Sequence, residues 1–137
     1  MQEVLLSFLL WIGANTDYDV NVPLPNVSIT DSYNVCAVYG IQDKGRCQAA
    51  RLVGFFNKKT TIYLKTGFQT QNNIDRSRLM HELVHYVQWV NGKYKGTCLG
   101  HLELEAYQIQ DQWLAENNLK TRLDPFKAIM LEASCDA

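Results

Sequence analysis

The stretch that decides the fold is RLMHELVHYVQW, residues 78–89, where two histidines stand four residues apart and a glutamate follows the first. Residues four apart share one face of an α-helix, so His81 and His85 project from the same side, one turn apart. Apolar residues cover much of the opposite side, at Met80, Leu83, Val84, Val87 and Val90. The pattern predicts a helix over about residues 76–90 with one apolar side buried and its histidines facing a neighbouring element.

Two imidazoles at this spacing can bind one metal ion, because zinc–nitrogen distances of about 2.0–2.1 Å suit side chains one helical turn apart. Glu82 is rotated by about 100° from His81, so it flanks such a metal instead of binding it. Zinc lowers the pKa of a bound water toward about 7, and Glu82 is placed to accept its proton. The H-E-x-x-H spacing predicts a hydrolytic Zn2+ site; the alternative is a pair of histidines without metal.

A catalytic zinc needs a third protein ligand, and the next predicted helix, over about residues 101–117, offers two glutamates. The buried stripe of that helix is predicted at Leu102, Ala106, Ile109 and Trp113. Glu105 lies about 60–70° from the middle of this stripe, and Glu103 lies about 90° away on the other side. The sequence therefore favours Glu105 as the third ligand, with Glu103 as the alternative.

HELVH followed by a glutamate on a second helix resembles the gluzincin pattern of zinc metallopeptidases. The resemblance implies a compact zincin-like fold, zinc ligands at His81, His85 and Glu105, and Glu82 as general base for hydrolysis of a peptide or protein substrate. It also implies an edge strand that pairs with an extended substrate, expected here in TTIYLKTG, residues 60–67. Many gluzincins carry an acidic residue four positions after the ligand glutamate, where this chain has Ile109 after Glu105 and Tyr107 after Glu103.

Larger gluzincins have a C-terminal subdomain that supplies a donor to the transition state, whereas only residues 118–137 follow the second predicted helix here. Candidates for this donor are Tyr107, His101, Tyr94 and Arg122, and for each of them the alternative is a structural role. The segments HELVHYVQ and ELEAYQIQDQW also look like a family of short bacterial exported proteins with no established activity.

Four cysteines, Cys36, Cys47, Cys98 and Cys135, allow three disulfide pairings. Cys36–Cys47 with Cys98–Cys135 is the most economical, because it closes one short loop and tethers the chain end. Two disulfides predict an oxidising compartment, so the protein is expected to be secreted or periplasmic. The alternatives are reduced cysteines in a cytosolic protein and a structural zinc site at CLGH, residues 98–101.

The apolar stretch VLLSFLLWIG, residues 4–13, has the length of a signal-peptide core but lacks a basic leader. We expect it to form an N-terminal helix over about residues 4–12 that packs on the core, with any signal peptide absent from the chain. It is too short to span a bilayer, so no membrane insertion is expected.

Composition limits the number of domains and the kinds of partner that can be expected. The chain has 137 residues, 47% hydrophobic and 20% charged, with a net charge of −1, as expected for one domain over residues 1–137. It has no basic cluster of the kind that binds nucleic acid. The predicted elements indicate an α+β fold, with an N-terminal helix, a small antiparallel sheet and three C-terminal helices. A strand is expected at 36–39, a hairpin at 52–56 and 60–65, and a last helix at 125–133.

The pattern indicates a small secreted zinc-dependent peptidase whose oligomeric state the sequence leaves open. Glu82 favours this function, because a metal site that only binds or stabilises has no need of a base beside its histidines. The alternatives are a non-catalytic zinc-binding or protein-interaction module on the same fold, and a domain in which the metal serves stability alone.

Overall fold

The structure, a computed structural model, describes residues 1–50 and 54–136. Within these ranges the chain forms six helices and a three-stranded sheet, which confirms the predicted α+β class. In chain order the elements are α1 (Gln2–Asn15), β1 (Asn26–Thr30), α2 (Ser32–Tyr39), α3 (Lys44–Ala50), β2 (Gly54–Phe56), β3 (Thr61–Lys65), α4 (Asn73–Val90), α5 (Leu99–Glu116) and α6 (Pro125–Ala133).

The sheet is mixed, whereas the sequence predicted an antiparallel one. Its strand order is β1-β3-β2, with β1 parallel to β3 and β2 antiparallel to β3. The parallel pair forms because α2 and α3 lie between β1 and the hairpin, and such a connection is long enough to return the chain in the same direction. The hairpin itself is confirmed at β2 and β3, although residues 52 and 53 of its predicted first arm lie outside the described ranges.

The position of β3 overturns the expectation that residues 60–67 form an edge strand. β3 is hydrogen-bonded on both sides, because β1 pairs with one of its edges and β2 with the other. Among the described strands, β1 and β2 are the edges of the sheet.

The strand predicted at residues 36–39 is also wrong, since these residues form the second half of α2. The Asp31 side chain caps this helix by accepting a hydrogen bond from the Asn34 backbone N–H at 2.8 Å. Gly40 ends it with a φ of 109°, a left-handed conformation that suits glycine. Two terminal signals therefore outweigh the strand preference of the β-branched and aromatic residues between them.

α4 is the central element of the fold. The Asn72 side chain caps it by accepting a hydrogen bond from the backbone N–H of Asp75, so the helix begins about one turn earlier than predicted. Its apolar side packs against the sheet and α1 and is completely buried at Leu79, Met80, Leu83, Val84 and Val87, whereas Val90, at the helix end, is exposed. Burying each of these side chains contributes roughly 1.5–3 kcal/mol to folding, which fixes the rotation of α4 about its axis.

The N-terminal apolar stretch packs as α1, with Phe8 edge-on to Trp113 of α5 at 5.5 Å between ring centres. Both disulfides have the predicted pairing: Cys36–Cys47 joins α2 to α3, and Cys98–Cys135 joins the start of α5 to the end of α6. No helix in the described ranges is both long and apolar enough to cross a membrane.

Candidate metal centre

His81 and His85 lie on the side of α4 that faces α5, opposite its apolar side. Both residues are buried, with 8% and 7% of their surfaces exposed. Their Nε2 atoms are 3.2 Å apart, and their rings meet edge to face. Because the apolar side of α4 is held against the sheet, the two imidazoles are held in the interface between α4 and α5.

Glu103 of α5 joins the two histidines. Its Oε1 lies 3.2 Å from the Nε2 of His81 and in very close contact with the Nε2 of His85. One potential ligand atom from each of the three residues falls within 4.8 Å of the others. The Glu103 side chain is 38% exposed, against 10% and 9% for the two histidines, so the cluster opens to solvent on the Glu103 side.

Of the two candidate third ligands, the structure brings Glu103, the alternative, to the histidines, and it does not bring Glu105, the preferred one, there. Glu105 instead accepts hydrogen bonds from the Tyr18 hydroxyl and, at 3.0 Å, from Nε2 of Gln88. The buried stripe of α5 packs on α1 as well as on α4, so its middle does not mark the direction of the histidines. That direction is marked by Glu103, Tyr107 and Gln110, which all contact His81.

A signal for Glu103 was present in the sequence. Glu103, Tyr107 and Gln110 stand at i, i+4 and i+7 and therefore share one face of α5. A continuous polar and aromatic face beside an apolar stripe is what a helix needs when it covers a pair of buried histidines.

Glu82 lies beside the cluster, on the side of α4 that faces strand β2. Gly54 of β2 is its neighbour there: a carbon at the Cβ position of Gly54 would lie in ordinary contact with Cγ of Glu82, at 3.5 Å. Burial raises the pKa of Glu82 above the ordinary carboxyl range, and the opposing charges of His81 and His85 do not cancel this effect. Glu82 thus stands next to the histidines without being one of the three residues that converge.

Charges in the cluster shift the pKa values of the converging groups in opposite directions. Burial acts to raise the pKa of Glu103, but hydrogen bonds with His81 and His85 hold it well below its usual range. Burial acts to lower the pKa of His85, but its bond with Glu103 and the charge of Glu82 raise it overall. The carboxylates therefore favour a positive charge at this point of the interface.

The converging atoms suit a zinc ion. Two nitrogens bound to one zinc at about 2.0–2.1 Å with tetrahedral angles are about 3.3 Å apart, close to the 3.2 Å between the two Nε2 atoms. The opposite ring nitrogens are engaged elsewhere: Nδ1 of His81 lies 3.0 Å from Oε1 of Gln110, and Nδ1 of His85 lies 2.8 Å from Oε1 of Gln88. Two imidazoles and one carboxylate that open to solvent are a set of donors that could hold a metal ion.

The four donor candidates from the sequence fall into two groups. Tyr94 and Tyr107 lie at the cluster: the Tyr94 hydroxyl is 3.3 Å from Nδ1 of His85, and the Tyr107 ring centre is 4.4 Å from that of His81. Burial, with the charges of Glu82 and Glu103, raises the pKa of Tyr94, so its hydroxyl keeps its proton.

The other two candidates lie elsewhere. His101 pairs with Glu132 of α6 at 3.3 Å. Arg122 lines a cavity of about 530 Å³ at the start of α4. That cavity lies behind Ser77, one helical turn from His81, and holds none of the three converging atoms.

Comparison with known proteins gives one match. The profile of a domain of unknown function, DUF6647, matches residues 1–137. The chain belongs to this family. No curated protein and no solved structure matches it. Membership of the DUF6647 family assigns no activity, so any function rests on the geometry of His81, His85, Glu103 and Glu82.

Proposed function

We propose that this DUF6647 protein is a small zinc-dependent peptidase. The observation that carries the proposal is the convergence of Nε2 of His81, Nε2 of His85 and Oε1 of Glu103 within 4.8 Å, with Glu82 beside them. A site built only to hold a metal has no need of a second carboxylate, partly buried, that stands beside the ligands without converging with them. Such a carboxylate next to an open metal position is what hydrolysis requires.

The roles follow from where each side chain lies. His81, His85 and Glu103 hold the zinc, and the exposed side of Glu103 leaves an approach for water and substrate. When bound, zinc supplies Lewis-acid chemistry, which polarises a peptide carbonyl and makes water more acidic. Glu82 accepts the proton of the attacking water and returns it to the leaving amine. The Tyr94 hydroxyl lies beside Nδ1 of His85, the ring atom that faces away from Glu103, so it supports that histidine.

The sheet suggests how a peptide binds. β2 is an edge of the described sheet, and its residue Gly54 lies against the Glu82 side chain. An extended peptide added to this edge would run past the general base with its backbone hydrogen-bonded to β2. This assigns to β2 the substrate-pairing role that the sequence had assigned to residues 60–67.

We also propose that the protein works outside the cytosol, as a secreted or periplasmic peptidase. The two disulfides support this location, because such bonds persist in oxidising compartments and are rare in reducing ones.

The test is peptide cleavage by zinc-loaded wild type and Glu82→Gln, with the exposed Glu3→Gln as matched control. A peptide library read by mass spectrometry covers the unknown specificity. We expect Glu82→Gln to lower kcat/KM by about 10²–10⁴-fold, since it removes the general base, and Glu3→Gln to leave it unchanged. Zinc binding without cleavage by wild type would instead support a non-catalytic zinc-binding module.

A further inference from the structure

Gln88 contacts His85 from the side away from Glu103. Its Oε1 lies 2.8 Å from Nδ1 of His85, and its Nε2 donates to the backbone carbonyl of Leu102 and to Oε1 of Glu105, both at 3.0 Å. A carbonyl and a carboxylate only accept hydrogen bonds, so they fix which end of the amide faces the histidine. Nδ1 of His85 must then carry the proton.

Gln110 also presents its amide oxygen to a histidine, His81, but its amide nitrogen donates to a different group. Oε1 of Gln110 lies 3.0 Å from Nδ1 of His81, and its Nε2 lies 3.3 Å from the hydroxyl of Ser77. Ser77 donates its own proton to the carbonyl of Ile74 at 2.7 Å, so it accepts from Gln110. Nδ1 of His81 therefore also carries a proton.

We propose that Gln88 and Gln110 are positioning residues that hold both histidines as Nδ1–H tautomers, and that Glu105 and Tyr18 act on the metal site through Gln88. With both Nδ1 atoms protonated, both Nε2 lone pairs point at the same place as Glu103. The proposal rests on the proposed metal binding at His81 and His85. Glu105, which the sequence favoured as a metal ligand, thus acts on the site through Gln88 and His85.

A carboxylate that replaced Gln88 would have different neighbours from a carboxylate that replaced Gln110. At position 88 a carboxylate would face two acceptors, Glu105 and the Leu102 carbonyl, and would lose both hydrogen bonds. At position 110 it would face the Ser77 hydroxyl, which can rotate to donate. A carboxylate that accepts from a ligand histidine strengthens the histidine as a ligand. The structure therefore predicts opposite effects of the same substitution at the two positions.

The first test is the zinc affinity of Gln110→Glu, measured by competition with a chelator. We expect zinc to bind about tenfold or more tightly than in wild type, the scale of effect known for hydrogen-bond partners of metal ligands. Gln108→Glu, which adds the same charge on the exposed face of α5, is the matched control and should change the affinity little. Equal effects of the two substitutions would overturn the role of Gln110.

The second test combines Gln88→Glu with Glu105→Gln. We expect Gln88→Glu alone to weaken zinc binding about tenfold or more. The double variant should recover to within about threefold of wild type, since the amide placed at position 105 donates to the carboxylate at position 88. Tighter binding by Gln88→Glu, or a double variant no better than that single one, would overturn the role of Gln88 and Glu105.

Wild type provides a measurement that needs no variant to fold. Nitrogen-15 NMR of the imidazole rings should show a proton on Nδ1 of both histidines, with zinc and without it. An unprotonated Nδ1 on either ring overturns the inference. None of these readouts is peptide cleavage, so a protein that binds zinc but cleaves nothing would refute the proposed peptidase and leave the positioning roles standing.

Discussion

Glu103 and Glu105 are two residues apart on α5, so about 200° of helical rotation separates their side chains and only one can face the histidines. Glu103 contacts the Nε2 atoms of both histidines, whereas Glu105 contacts Tyr18 and Gln88. At the scale of single residues, the rotation of α5 thus decides which of the two carboxylates faces the histidines.

The two carboxylates should differ in their effect on zinc affinity. Glu103→Ala removes a proposed ligand and should weaken binding by more than about 100-fold, beyond the 10–100-fold known for residues that only support ligands. Glu105→Ala should weaken binding by about tenfold, because it acts through Gln88. Titration of the purified variants with zinc against a chelator measures both. A larger effect of Glu105→Ala, the order that the sequence favoured, would return the ligand role to Glu105.

Sequence reasoning located the histidines and Glu82, but it did not select Glu103 and it missed the two glutamines. The H-E-x-x-H spacing placed His81, Glu82 and His85 correctly because four residues make about one helical turn, whatever the helix packs against. The choice between Glu103 and Glu105 needed the rotation of α5, which depends on packing against both α1 and α4. Gln88 and Gln110 were missed as contacts of the histidines because glutamine in a helix has no pattern of its own.

At the scale of elements, α6 differs from the other helices near the site, since none of its residues is buried. Its contacts with α5 include the Cys98–Cys135 disulfide, the His101–Glu132 pair, and the Lys127 ammonium over the Tyr107 ring at 3.9 Å. Gly100 allows the close approach, because a Cβ there would clash with the Leu131 carbonyl. The disulfide adds a covalent link to this packing.

The two disulfides should contribute unequally to stability. Their sequence separations are 11 for Cys36–Cys47 and 37 for Cys98–Cys135. Loop-closure entropy gives about 3 kcal/mol for the first and about 4 kcal/mol for the second. Urea unfolding of Cys36→Ser/Cys47→Ser and Cys98→Ser/Cys135→Ser should show the larger loss of unfolding free energy in the second variant. A smaller loss there would mean that α6 stays attached without its disulfide.

The elements show where local signals suffice. α6 was predicted with its observed bounds because proline, here Pro125, is favoured at the first position of a helix. Residues 36–39 were misassigned because Val38 and Tyr39 favour strands, whereas the helix that begins after Asp31 continues through them. The mixed sheet could not be read from the hairpin, since the pairing of β1 with β3 joins residues far apart in sequence.

At the scale of the whole molecule, α4 joins two layers of different chemistry. One side of α4 is apolar and packs on the sheet and α1, and the other carries His81, His85 and Gln88 against α5. Buried polar groups in that second interface are stable only when each has a partner, and in the described ranges every one of them has. A zinc ion at the cluster would bind residues of both α4 and α5, which links the candidate site to the stability of the fold.

The most direct test of the account is the zinc content of the purified protein, by elemental analysis after dialysis against zinc and then against metal-free buffer. We predict about one zinc per chain in wild type and in His101→Ala, whose histidine pairs with Glu132 away from the cluster. His81→Ala and His85→Ala should retain almost none. A wild-type protein without zinc, or zinc retained when His81 and His85 are both replaced, would contradict the metal centre.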